Sequence, residues 1–315
     1  MSQIVLGVGA SHTTLMNTHW DALVHVDRAE RFRDALGRAR AQIAAARPDV
    51  ALIIGSNHFR GFFLDLMPAF TIGVGECIAA GEAGTPAGPQ PVDTALARHM
   101  VQFLSEASFD IAFSAKLQVD HGITHAIQYL LAGLDLPIVP VVVNVFAPPQ
   151  PSLRRCEQLG VAIGAAIEAF AQDRRVVVIG TGGLSHRLPW PDWRAPQSED
   201  DSFLVDAFVN GRANWQDYEA GRRAIVVKAG GSGDPRYRIS ADFDEEFLDM
   251  VRSGELHRLA AMSTDALQAR AGNGGQEIRA WLIAAAAMGH RAGRVLAYEE
   301  IPEWLTGMGV AVFDG

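Results

Sequence analysis

Four of the ten histidines share one kind of position, each among Gly or small polar residues just past a run of apolar residues. His12 ends Gly9-Ala10-Ser11-His12, and His58 ends Gly55-Ser56-Asn57-His58. His121 lies in Asp120-His121-Gly122, and His186 closes Gly180-Thr181-Gly182-Gly183-Leu184-Ser185-His186. Small neighbours leave room around an imidazole and let backbone approach a bound species. Imidazole either ligates a metal or moves protons near neutral pH, so these four suggest a His-lined metal or acid/base site. His125, one turn beyond His121, could serve the same site. The other histidines carry no comparable context.

These side chains need strands to bring them together. Ile4–Val8, Val50–Ile54, Pro137–Val145 and Arg175–Ile179 read as buried strands; Ala69–Val74 and Ile111–Leu117 are further candidates. Helical patterns alternate with them at Val24–Ala46, Thr94–Ser105, Thr124–Leu134 and Ser152–Phe170. Gly81–Pro91 reads as a Gly/Pro-rich loop, and Leu188–Asp201 as a long surface loop. Mainly helical segments follow, near Phe203–Asn210, Asp244–Ser253, Glu255–Ala261, Thr264–Ala271 and Glu277–Met288, and Gly307–Phe313 is expected to return as an edge strand. The pattern specifies an α/β fold: a mostly parallel central sheet with helices on both faces and a helical C-terminal part, in one domain over residues 1–315. In such sheets the carboxyl edge is where ligands bind, and all four histidines should emerge there.

Composition removes competing chemistries. The chain has 315 residues, a formal net charge of −9 and two cysteines, Cys77 and Cys156, far apart. Neither a disulfide framework nor a Cys-rich metal site is compatible with that. An acidic balance argues against nucleic acid or an anionic membrane as partner. No apolar run approaches the length of a membrane span, and the first residues enter a strand without a basic leader, so a cytoplasmic protein is expected. A dinucleotide fingerprint, a P-loop and a GxSxG elbow are all missing, and Gly180–Gly183 lacks a P-loop lysine. Ser185 beside His186 invites a hydrolase reading, but neighbours on an extended chain face opposite ways. A metal site of His and carboxylate remains; two His and one carboxylate form the facial triad of non-haem iron oxygenases.

The segments around His12 and His58, with Gln118-Val119-Asp120-His121-Gly122 and Gly182-Gly183-Leu184-Ser185-His186, resemble the motifs of class III extradiol catechol dioxygenases. These are the enzymes similar to the protocatechuate 4,5-dioxygenase beta subunit. Gly274-Gly275-Gln276-Glu277-Ile278-Arg279-Ala280-Trp281 and Ile301-Pro302-Glu303-Trp304 most resemble the 2,3-dihydroxyphenylpropionate 1,2-dioxygenase branch. The resemblance implies Fe(II), O₂ and a catecholic substrate cleaved beside its two hydroxyls. It places His12 and His58 as iron ligands and Glu277 as the third, with Glu245 and Glu246 as rivals. His121 matches the proton donor and His186 the base that deprotonates substrate. Asp120 would orient its neighbour or cap the following helix. The resemblance also implies a homo-oligomer, with the C-terminal helices and Trp304 as contact candidates. Arg60 is a candidate partner for a side-chain carboxylate, and Trp190 and Trp193 for walls of a ring pocket. Two other classes stay open: a zinc-dependent hydrolase or amidase using the same edge, and a non-catalytic binding relative.

Overall fold

The computed structural model describes residues 1–230 and 232–315. Its nine strands are β1 (Gln3–Ala10), β2 (Val50–Ser56), β3 (Phe70–Ala80), β4 (Ala87–Gln90), β5 (Ala112–Val119), β6 (Ile138–Val143), β7 (Arg175–Thr181), β8 (Gly293–Ile301) and β9 (Thr306–Asp314). They form one sheet in the order β4-β3-β6-β2-β7-β1-β9-β8, with β5 paired to β3. The four strands β6-β2-β7-β1 at its centre are mutually parallel. Antiparallel pairs flank them on both sides, so the sheet is mixed.

Unbroken β-branched runs make the central strands, because both faces are covered. Val50, Leu52 and Ile54 of β2 and Val176 and Val178 of β7 enter one core with the helices Leu153–Glu168 and Ile278–Ala287. The alternate residues Ala51, Ile53, Val177 and Ile179 enter a second core with the helices Val26–Ala46 and His121–Leu130. A strand buried on both sides loses the polar alternation of a half-exposed one. A third, smaller cluster packs Phe59 and Phe63 against Leu204, Phe208 and Trp215, which seats the helices Glu199–Asn210 and Trp215–Gly230 over the carboxyl edge.

Several elements depart from expectation. The chain end is not an edge strand: β9 lies between β1 and β8 and is buried over almost all its length. The edge is β8, which the sequence reading missed because it is half exposed and carries Tyr298, Glu299 and Glu300 in place of a clean alternation. Helix Trp215–Gly230 was also unread; only Trp215, Arg222 and Ala229 along it are buried, too thin a stripe to give a helical period. The presumed loop Gly81–Pro91 contains β4 and a buried glutamate, Glu82. Trp304 cannot reach another subunit, since it is buried between Trp20 and Phe32. Cys77 and Cys156 are buried free thiols, both pushed up to about 12 by burial. Among the described residues no helix is long and apolar enough to cross a membrane.

Candidate metal centre

His12 stands two residues beyond β1 and His58 two beyond β2, on either side of β7, whose last residue is Thr181. Across that carboxyl edge lies Glu277, the last residue of a 3₁₀ turn that runs straight into helix Ile278–Ala287. Glycine allows the approach. A Cβ at Gly182 would meet the Glu277 Cβ at 2.6 Å, and one at Gly180 the Ala280 carbonyl oxygen at 2.5 Å. Trp281 fixes the same join by donating its indole N–H to the Gly182 carbonyl at 3.0 Å.

Three donors converge as a result. Glu277 Oε1 is 3.1 Å from His12 Nε2 and 3.3 Å from His58 Nε2, with all three side chains buried. The outward atoms are held from behind. His58 Nδ1 lies 3.0 Å from Asp120 Oδ1, and His12 Nδ1 lies 2.7 Å from Thr181 Oγ1. Glu277 Oε2 accepts from the Gly183 amide at 2.8 Å, and Oε1 accepts from the Ser56 hydroxyl. With its Nδ1–H donated to Asp120, a neutral His58 turns a bare nitrogen lone pair toward a carboxylate. Only a proton or a metal cation between them resolves that contact. Burial opposes the His58 cation, yet Asp120 and then Glu277 outweigh it and raise the group to about 9. Burial alone would raise Glu277, but His12 and His58 overcome it and hold the carboxyl well below its usual range. The donor set, two imidazoles on one side and a carboxylate closing the face, with partners behind each, fits a divalent metal of the iron or zinc kind.

Asp120 caps the helix that follows it, but the ring it orients is that of His58 and not that of its neighbour His121. Oδ1 caps helix His121–Leu130 by accepting from Gly122 N at 3.0 Å, while Oδ2 accepts from the His58 amide at 2.6 Å. Burial would raise its pKa, and His58 lowers it below the ordinary value. His121 is the first residue of that helix rather than part of a loop. The β5 strand before it does not join the parallel set: β5 is parallel to β3, which is antiparallel to β6. The helix still reaches the site, because a Cβ at Gly122 would sit 2.1 Å from the Ser56 carbonyl oxygen, flush against the end of β2. The His121 ring stacks on His58 at 3.7 Å, and the ligating atoms of His12, His58 and His121 lie within 4.8 Å of one another.

The residue behind His121 was not foreseen. Glu82 Oε1 accepts from both the His121 amide, at 2.6 Å, and its ring Nδ1, at 2.9 Å. Burial first and the Asp120 charge second raise Glu82 to about 7. Burial, together with the nearby His58 and His12, pushes His121 well below its ordinary pKa. His186 turns Nδ1 to the Leu184 carbonyl at 2.9 Å and Nε2 toward Glu277 Oε2 at 3.7 Å; burial lowers its pKa. Its loop is pinned by Ser185, whose amide and hydroxyl donate to Asp244 at 2.7 and 2.8 Å. Ser185 therefore faces away from the triad. His125 is buried behind His12 and His121, at 5.9 and 6.0 Å between ring centres, with neither ring nitrogen hydrogen-bonded. Glu245 and Glu246 are exposed and paired with Arg252 and Arg270, away from the histidines.

The triad floors a cleft of about 780 Å³, open mouth included, also lined by His121, His186, Arg60 and Trp190. Trp190 packs on Phe146 at 4.5 Å and on His58 at 5.9 Å, forming an apolar wall beside the donors. Trp193 is outside the cleft lining and donates to the Pro148 carbonyl at 3.1 Å.

The chain is similar to known proteins over most of its length. The family described as the catalytic LigB subunit of aromatic ring-opening dioxygenase matches residues 7–309. Three relatives are named 2,3-dihydroxyphenylpropionate/2,3-dihydroxicinnamic acid 1,2-dioxygenase. The one from Paraburkholderia phymatum is 34% identical, covering 92% of this chain and 90% of its own. The one from Burkholderia vietnamiensis is 34% identical, covering 95% and 94%. The one from Paraburkholderia xenovorans is 35% identical, covering 86% of each.

Proposed function

Because this chain belongs to the LigB family of aromatic ring-opening dioxygenases, we propose that it is an Fe(II)-dependent extradiol dioxygenase for a catechol carrying a carboxylated side chain, of the 2,3-dihydroxyphenylpropionate type. The observation that carries this reading is the buried meeting of His12, His58 and Glu277 under an apolar-walled cleft. Bound there, Fe(II) would hold the diol and O₂ side by side and couple them electronically. Both oxygen atoms enter the ring-opened product, so the balance requires no external reductant.

The protein's own part is protons, orientation and dryness. A catechol binds a cation better once a hydroxyl proton has left, and the acceptor must have a free lone pair. His186 suits this: with Nδ1–H donated to Leu184, Nε2 carries the lone pair on the cleft side. His121 is the proton donor during ring opening: Glu82 holds the ring at Nδ1, and a proton picked up at Nε2 is readily given because burial makes the ring a weak base. Asp120 orients His58 and indirectly sets the register of His121. Trp190, backed by Phe146, flanks the aromatic ring and keeps water from it, and Arg60 supplies positive charge toward the acid arm. The ligands come from both ends of the chain, so residues 1–315 act as one catalytic unit. The same reading implies a cytoplasmic homo-oligomer.

Anaerobic loading with Fe(II), followed by 2,3-dihydroxyphenylpropionate in air, tests the proposal. A yellow ring-opened product with one O₂ consumed per substrate is expected. Activity confined to zinc-loaded protein on esters or amides would overturn it.

A further inference from the structure

One face of helix Trp215–Gly230 looks into the cleft through Glu219, Arg222, Arg223 and Val226, the spacing of a single helical stripe. Arg60 joins them from the segment after His58. Three guanidinium groups thus meet one carboxylate on this wall. Glu219 is shared: Oε2 pairs with Arg60, and Oε1 lies 3.7 Å from Arg223. The other acid lining the cleft, Glu277, is already engaged by His12 and His58.

Arg60 and Arg222 are both buried and both donate to the His58 carbonyl oxygen, at 2.6 and 2.8 Å. Two like charges are thereby drawn together over one oxygen, and the buried Arg60 Nε has no hydrogen-bond partner. Buried charge with unmet donors is costly unless an anion completes it. The route from the triad is apolar before it is cationic. Trp190 lies 5.9 Å from the His58 ring and 5.9 Å from the Arg222 guanidinium. An aromatic ring, a short methylene arm and a terminal carboxylate match that sequence of surroundings.

We propose that Arg222 and Arg223, with Arg60, form the receptor for the carboxylate of the substrate's side chain, and that Glu219 is the internal carboxylate competing for it. The identity of the ligand, though not the existence of the anion site, rests on the ring-opening reading above. Guanidinium forks bind carboxylates bidentately, and such charge-assisted bonds are the strong ones.

Two variants test this in Fe(II)-loaded protein. Arg223 is 45% exposed at its side chain, so Arg223→Gln should fold normally. It should weaken binding of 3-phenylpropionate, which has the arm but no diol, by about tenfold. The ratio of kcat/KM for 2,3-dihydroxyphenylpropionate over unsubstituted catechol should fall by a similar factor. Glu219→Gln frees Arg60 and Arg223 and should move both quantities the other way, by about threefold or more. Opposite shifts cannot come from a general loss of structure. If both variants stay within twofold of wild type, or both move the same way, the receptor is wrong while ring opening stands. If the wild type opens neither catechol, the ring-opening reading fails. Calorimetric binding of 3-phenylpropionate then still decides the receptor: binding weakened in Arg223→Gln upholds it, and no binding overturns it.

Discussion

A single oxygen of Glu82 accepts two hydrogen bonds from His121, one from its backbone amide at 2.6 Å and one from its ring Nδ1 at 2.9 Å. The pair fixes which ring nitrogen keeps its proton and where the other one points. Imidazole has two nitrogens, and the partner of one decides the chemistry open to the other. Glu82→Ala leaves both donors buried without an acceptor and frees the ring to turn. The expected result is a kcat about 100-fold lower with iron content unchanged. Glu82→Gln keeps an acceptor oxygen and should recover most of that loss. Wild-type turnover in Glu82→Ala would show that His121 needs no such support.

The donors of the triad should separate from their neighbours by metal content. His12→Ala, His58→Ala and Glu277→Ala each remove one of three converging atoms and should leave purified protein without stoichiometric iron. Asp120→Ala keeps the atoms but loses the clamp on the His58 ring at 3.0 Å. Partners of that kind are typically worth about 10–100-fold in metal affinity. His121→Ala and His186→Ala should retain iron and lose turnover. Elemental analysis after equal loading distinguishes these groups, and iron lost from His186→Ala would move that residue into the ligand set.

Much of this arrangement was readable in the chain, for a physical reason. Strands β1, β2 and β7 are buried on both faces, so their apolar runs are continuous, and His12, His58 and His186 follow them directly in sequence. Glu277 stood out through resemblance, not periodicity. Glu82 was hidden because Gly81 and Gly84 around it look like a solvent loop; both have positive φ, and so does Ala83 between them. The turn they make folds the carboxylate inward. The direction of β5 was equally hidden. It depends on β3 running antiparallel to β6 while β5 pairs parallel to β3, which no local pattern reports. The cationic wall escaped because helix Trp215–Gly230 buries so little apolar surface.

Asp244 ties the loop carrying His186 to β8, accepting from Ser185 and, at 2.8 Å, from the Tyr298 hydroxyl. Burial raises its carboxyl from 3.8 to about 6 despite these bonds. A raised acid means that the folded state holds a proton the unfolded state has released. Its effect is therefore a loss of stability as pH rises from about 4 to about 6, amounting to roughly 3 kcal/mol. Asp244→Asn cannot titrate. The stability of wild type minus that of Asp244→Asn, from urea melts at pH 4 and pH 7, should fall by about that amount. A difference independent of pH would contradict the assignment.

The closeness of β7 to the Glu277 turn makes a prediction that a shift in charge could not mimic. At Gly182 an added Cβ would lie 2.6 Å from the Glu277 Cβ and 2.9 Å from its carbonyl oxygen, so backbone must move and not merely a flexible tip. Gly182→Ala should cost about 1–3 kcal/mol of stability, as overpacking does. It should also weaken iron binding, because the displaced group carries the third ligand. Gly37, within helix Val26–Ala46, is the control: nothing lies within 4 Å of a Cβ there. Gly37→Ala should gain about 0.5–1 kcal/mol from helix propensity alone, with metal affinity untouched. Chemical denaturation and iron titration of the two variants give the comparison. Equal iron affinity in Gly182→Ala and wild type would mean that the helix can slide off β7 without carrying Glu277 with it.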